Sequence, residues 1–190
     1  MIKKIVKFAG AVLLLGFAAM SAQAQPSLYV AGTHYQELPA PVRTNNPDKI
    51  EVLEVFWYGC GHCFRFQPLV DDWAHNAADD IDYLRFPAIW NELMKIRAQA
   101  YYTAESLNVI DQVHAPIFDA INLQNNRLQN ERQLATLFAR YGVGEEDFSR
   151  AFNSFPVRTK VNQAEQKMSA YQIRSTPNVI VNGKYLVTTN

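Results

Sequence analysis

The chain has 190 residues, 48% of them hydrophobic, 12% aromatic and 19% charged. Such a mix can bury a core, which excludes wholesale disorder. Its 18 Lys and Arg balance 18 Asp and Glu, which argues against nucleic acid as a partner, and its two cysteines, Cys60 and Cys63, are too few for a disulfide-stapled mini-domain or a four-cysteine metal site.

In chain order, Lys3, Lys4 and Lys7 precede an apolar run from Phe8 to Met20, and Ala22-Gln23-Ala24 offers the small residues a signal peptidase needs. Residues 1–24 are therefore expected to be a cleaved secretory signal peptide, since the apolar run is short for a membrane span. An uncleaved anchor is the alternative. The mature chain is expected outside the cytoplasm, where disulfides persist. A short strand or extended arm is expected near Leu28–Tyr35. Ile50–Phe56 is β-branched and apolar and reads as a buried strand. From Cys63 to about Ala77, Phe66, Leu69, Val70 and Trp73 recur at helical spacing, with Pro68 expected to kink the helix. Ile81–Phe86 is a second strand, closed by Pro87.

Further helices are expected over Asn91–Leu107, Val113–Leu123, Glu131–Tyr141, Glu145–Phe152 and Val157–Tyr171. Asn182-Gly183 between Val179-Ile180-Val181 and Lys184–Val187 is a strong hairpin signal, because both central turn positions favour positive φ. A strand–helix–strand unit, a helical block and a hairpin together fit an α/β, thioredoxin-like fold with an inserted helical domain. The thioredoxin-like part would be 25–89 and 156–190, and the inserted helical part 90–155.

Cys60-Gly61-His62-Cys63 stands at the first strand-to-helix junction. At a helix start the first backbone N–H groups lack partners and the macrodipole is positive, and both favour a thiolate. His62 adds a donor beside the sulfur. Cys63, one turn inside, is read as the resolving cysteine. Each pKa unit by which the thiolate is stabilised makes a two-electron couple ~30 mV more oxidising. A purely structural disulfide remains an alternative, although a four-residue loop stabilises little. A zinc site is another, but His34, His62, His75 and His114 supply no second spaced ligand pair, and no metal is expected. Haem attachment is excluded because Phe64, not histidine, follows Cys63. Pro177, just before the hairpin, is expected to approach the cysteines, and if cis it lets Thr176 present its backbone to an extended substrate strand. An ordinary trans proline opening an edge strand is the alternative. Glu54 lies in an apolar strand and is either a buried acid able to relay protons to the cysteines or a sheet-edge glutamate facing solvent.

FWYGCGHCF after the VLEVF strand, FNSFPVRTKVNQAEQK and STPNVIVNGKY, in that order, resemble the DsbA family of periplasmic thiol:disulfide oxidoreductases. The resemblance implies a thioredoxin fold with a helical insertion. It implies oxidation of cysteine pairs in exported proteins through a mixed disulfide, with the Cys60–Cys63 pair as the redox group and no other cofactor. It also implies a periplasmic location and reoxidation by a DsbB-like, quinone-linked membrane oxidase. Cys60 matches the family's nucleophile, Cys63 its resolving cysteine, His62 its tuning histidine, Thr176-Pro177 its cis-proline pair and Glu54 its buried acid. A monomer is expected. Gly61 replaces the family's usual proline, which makes the motif also resemble that of protein disulfide isomerase. Tyr83 stands where the family pairs its acid with lysine, with Arg85 on the same face. The family's last helix would follow the hairpin, so the natural chain is expected to continue past Asn190. A reductase or isomerase of the same fold, and a non-catalytic peptide-binding module, are the competing functions.

Overall fold

Residue 51 to residue 56 of the VLEVF strand is buried without a break, as a strand covered on both faces requires. This strand organises the fold in a computed structural model that describes residues 28–188. The expected signal peptide, residues 1–24, lies outside the described residues. The elements run β1 (Gln36–Glu37), β2 (Ile50–Phe56), α1 (Gly61–His75), β3 (Ile81–Pro87), α2 (Glu92–Ser106), α3 (Ile110–Asn122), α4 (Glu131–Ala139), α5 (Glu145–Phe152), α6 (Phe155–Ala170), β4 (Asn178–Val181) and β5 (Tyr185–Thr188). They build a mixed sheet of order β1-β5-β4-β2-β3. β2 and β3 are parallel, joined by the α1 crossover, and the other neighbouring pairs are antiparallel. The register sets Val52 beside Tyr83 and Glu54 beside Arg85.

The β4–β5 turn forms as its sequence predicts, with Asn182 at φ 49° and Gly183 at φ 61°. Only glycine fits at 183, because a Cβ there would lie 1.9 Å from the Val42 carbonyl oxygen. Helix starts follow their caps. The Asn91 side chain accepts from the Met94 N–H (3.0 Å), and that of Asn130 from the Gln133 N–H (3.0 Å). Rings join the sheet to the helices between β3 and α6: Phe56 meets Tyr58, His114 and Tyr101 edge-on at 5.0–5.3 Å between centroids.

The structure departs from expectation at several places, and α4 ends at Ala139 rather than Tyr141. The arm near Leu28–Tyr35 is not a strand. Gly32 at φ +80°, with Gly32 N–H to Tyr35 O (2.7 Å) and His34 N–H to Val30 O (2.9 Å), folds it into turns. α1 starts at Gly61 because Cys60 takes the capping position. α3 starts at Ile110, before Val113, because its first turn carries Asp111 and Gln112, which apolar spacing does not register. α6 starts at Phe155: Ser154 caps it and Pro156 occupies its first turn, where a missing N–H costs nothing. Pro68 lies inside α1, which runs continuously from Gly61 to His75.

Candidate active site

Cys60 ends the turn leaving β2 and is the N-cap of α1. Its N–H donates to the Trp57 carbonyl (2.9 Å), closing the turn, and its Sγ accepts from the Cys63 N–H (3.2 Å). The first turn of α1 carries no acidic side chain, so nothing there offsets the positive end of the helix. Cys60 is half-buried and Cys63 fully buried, and both are thiols in this structure. The Cys60 pKa is lowered from 9.0 to about 5. The hydrogen bond from the Cys63 thiol is the largest cause; burial opposes it, and the Thr176 side chain and the backbone N–H groups of Cys63 and His62 add to it. The same bond to Cys60, then burial, pushes the Cys63 thiol far up. The two sulfurs therefore divide the work: one is held as an anion, the other keeps its proton.

Thr176 and Pro177 lie where the sequence places them, against the cysteine pair. The Thr176–Pro177 bond is cis, and the Thr176 carbonyl accepts from the Cys60 thiol at 3.5 Å. His62 lies in the first turn of α1 beside Cys60. Its ring is exposed, with Nδ1 3.2 Å from the Arg65 guanidinium, and it is the backbone N–H of His62 that favours the Cys60 thiolate. A CxxC pattern cannot separate a residue's ring from its N–H at a helix start.

Glu54 is fully buried, which decides against the solvent-facing alternative. Its Oε2 accepts from the Tyr83 hydroxyl and lies 3.9 Å from Arg85 Nε. Arg85 also bonds Asp71 on α1 at 2.8 Å. Oε1 has no partner among the described residues. Burial raises the Glu54 pKa; the Tyr83 bond and the Arg85 charge oppose this. A tyrosine and an arginine thus flank this acid. Asp71 carries no sequence signal for that role, being one of several acids on an amphipathic helix. Another set went unread: the buried Tyr58, Gln67 and His114 are joined by hydrogen bonds, and half-buried Asn122 bonds the Tyr58 carbonyl. Its members come from β2's exit, α1 and α3, and no local pattern links them. Among the described residues no three His, Cys, Asp or Glu could hold a metal ion, and no helix is long and apolar enough to cross a membrane.

A capping thiolate and a protonated neighbour one turn on, mounted at the end of an interior strand, exchange disulfides; the chain is a thiol:disulfide oxidoreductase of thioredoxin-like fold. Comparison with known proteins narrows the class. The DSBA-like thioredoxin domain family matches residues 76–190. The thiol:disulfide interchange protein DsbA of Pseudomonas aeruginosa is 37% identical over 166 residues, covering 87% of this chain and 78% of that protein. That of Azotobacter vinelandii is 38% identical over 170 residues, covering 88% and 79%. The crystal structure of the Pseudomonas aeruginosa protein superposes with a TM-score of 0.81 at 36% identity, over 84% of this chain and 83% of that one. The Xylella fastidiosa oxidoreductase DsbA gives 0.80 at 33%, over 85% and 89%. The chain belongs to the DSBA-like thioredoxin domain family, and the helices between β3 and α6 are that fold's helical insertion.

Proposed function

We propose that this protein oxidises cysteine pairs in exported proteins, with Cys60–Cys63 as its redox-active disulfide. The observation that carries the reading is the Cys60 sulfur at the α1 N-cap, accepting from Cys63 and lowered to a pKa of about 5. A substrate thiolate attacks Cys60 Sγ and the Cys60–Cys63 bond breaks. Cys63 leaves and takes a proton, which its raised pKa favours. The second substrate thiolate then attacks the substrate sulfur of the mixed disulfide and expels Cys60 as a stable thiolate. The substrate loses two electrons and two protons. Both electrons stay on the cysteine pair, with one proton on Cys63 and the other released to water. Reversed, Cys60 is the nucleophile and Cys63 the resolving cysteine.

The loop at Thr176 and Pro177 receives the substrate backbone, supported by the 3.5 Å approach of the Thr176 carbonyl to Cys60. His62 tunes the sulfur through its N–H. Glu54 relays protons to the pair, supported by its burial, its raised pKa and its unpartnered Oε1. Residues 1–24 direct export to the periplasm. Residues 25–89 and 156–190 form the thioredoxin-like domain and 90–155 the inserted helical domain. The protein acts as a monomer, takes no other cofactor and no metal, binds no nucleic acid, and is reoxidised by a DsbB-like, quinone-linked membrane oxidase.

The test mixes the oxidised protein with a reduced, unfolded secretory protein and counts free thiols. One equivalent of disulfide should pass to the substrate, and Cys60→Ser should abolish the transfer. No transfer from the oxidised wild-type protein, together with substrate binding that Cys60→Ser leaves intact, would favour a non-catalytic binding module.

A further inference from the structure

Tyr58 stands two residues before Cys60, in the turn that Cys60 N–H closes on the Trp57 carbonyl at 2.9 Å. It is 1% exposed. Two side chains of α3 hold it at opposite ends. Its hydroxyl lies 2.8 Å from His114 Nδ1, and its carbonyl accepts from Asn122 Nδ2 at 2.9 Å. Asn122 and His114 are eight residues apart, on one face of the helix. The other nitrogen of His114, Nε2, is 3.1 Å from the side-chain oxygen of Gln67. His114 thus bridges the Tyr58 hydroxyl and the Gln67 amide, one ring nitrogen donating and the other accepting. Burial lowers the His114 pKa well below its ordinary value, so the ring stays neutral with the single proton this pattern needs.

Gln67 lies on α1 one turn beyond Cys63. One imidazole from the inserted helices therefore braces both flanks of Cys60-Gly61-His62-Cys63. The flank that Asn122 also holds is the one whose backbone carries the thiolate. We propose that His114 and Asn122 are positioning residues, through which α3 fixes the Tyr58 turn and so holds Cys60 Sγ in line with the α1 N–H groups.

The sulfur depends on that alignment, because its bond from the Cys63 N–H is 3.2 Å long and weakens steeply as the donor tilts. A turn pinned at the carbonyl and hydroxyl of one residue cannot rotate its peptide planes without breaking one of the two bonds. Ordinary satisfaction of buried polar groups would stabilise the fold but would leave the acidity of Cys60 alone, and this difference is measurable.

The proposal rests on the reading of Cys60 as the thiolate. The experiment is ultraviolet titration of the thiolate in the reduced full chain, with melting curves on the same samples. The variants are Asn122→Ala, His114→Phe and, as a control, Phe148→Leu in the α5 core. His114→Phe keeps a ring against Phe56 and Phe118 but removes both hydrogen bonds. Asn122→Ala alters a half-buried residue and keeps the test open if the histidine variant fails to fold. Phe148 touches Phe138 and Phe152, away from the cysteines. The expected result is an upward shift of the Cys60 midpoint by ~0.5 unit or more in Asn122→Ala and in any folded His114→Phe, with Phe148→Leu melting lower at an unchanged midpoint. An unshifted midpoint in Asn122→Ala, or an equal shift in Phe148→Leu, overturns the positioning role while leaving the thiolate reading intact. A wild-type midpoint near 9 overturns both.

Discussion

Replacing Cys63 by alanine removes the largest cause of Cys60 acidity, the thiol that donates to its sulfur, while the alanine N–H at position 63 remains in place to donate. Hydrogen bonds to charged groups contribute ~1.5–3 kcal/mol, and each pKa unit is ~1.4 kcal/mol, so a fully buried bond would account for about one to two units. Cys60 is half-exposed and water can replace part of the lost donor, so the lower end applies. The Cys60 midpoint should rise from about 5 to ~6 in Cys63→Ala. Cys63→Ser, which keeps an O–H donor at the same position, should stay closer to wild type. The assay is thiolate absorbance against pH, checked by the pH dependence of alkylation at the single remaining cysteine. A Cys63→Ala midpoint that stays at about 5 would show that backbone and dipole hold the anion alone, and would refute the assignment of the dominant donor.

Reduced protein should lose stability relative to oxidised protein as pH falls from 9 to 5. Native Cys60 titrates at about 5 and an ordinary thiol at 9.0, so the native reduced state binds fewer protons within that window. The loss should level off below pH 5; melting temperatures of the two forms, taken at or below ~pH 8, a unit under the ordinary thiol value of 9.0, so that Cys63 keeps its proton in both states, provide the check. Glu54 has the opposite sign. Its native pKa is raised, so the native state binds more protons and its ionisation costs stability as pH climbs above 4.5. Glu54→Gln, which keeps an acceptor for Tyr83, should remove this pH dependence, so that the wild-type melting temperature falls relative to that of the variant as pH rises above 4.5. Gly59→Ala and Gly61→Ala should differ sharply. A Cβ at 59 would meet the Trp57 ring at 2.5 Å and Arg97 at 2.7 Å, whereas at 61 the nearest atom is the end of Arg65 at 3.7 Å. Calorimetry should show Gly59→Ala destabilised by ~1–3 kcal/mol and Gly61→Ala neutral or slightly stabilised.

What the sequence made legible was whatever is local. VLEVF is a strand by composition, Asn182-Gly183 a turn by its φ demands, and Cys60 a helix-start sulfur by its place between that strand and the helical spacing of Phe66, Leu69, Val70 and Trp73. The cysteine pair and the Thr176-Pro177 loop could be brought together only through the fold class, because 116 residues separate Cys60 from Thr176. Glu54 was ambiguous because alternation along β2 says which face it shares, not whether a neighbour covers that face. β3 and β4 on either side make β2 an interior strand, and the Tyr83 and Arg85 side chains lie against the buried carboxylate. The motif puts His62 beside the sulfur without showing whether its ring or its N–H faces it; the N–H does, and the ring turns to Arg65. The Tyr58, His114 and Asn122 contacts had no signal at all, since each is ordinary core chemistry until α3 is seen to lie behind the cysteines. α6 begins two residues before the apolar stripe that opens at Val157, because a capping serine and a first-turn proline set its start.

Equilibration of the protein with glutathione tests the central claim most directly, because it weighs the thiolate against the disulfide without reference to any substrate. A Cys60 held near pKa 5 rather than ~7 should place the couple some tens of millivolts positive of the ~−270 mV typical of thioredoxin. A couple at or below ~−270 mV would mean that the disulfide is the comfortable state, and would contradict the account.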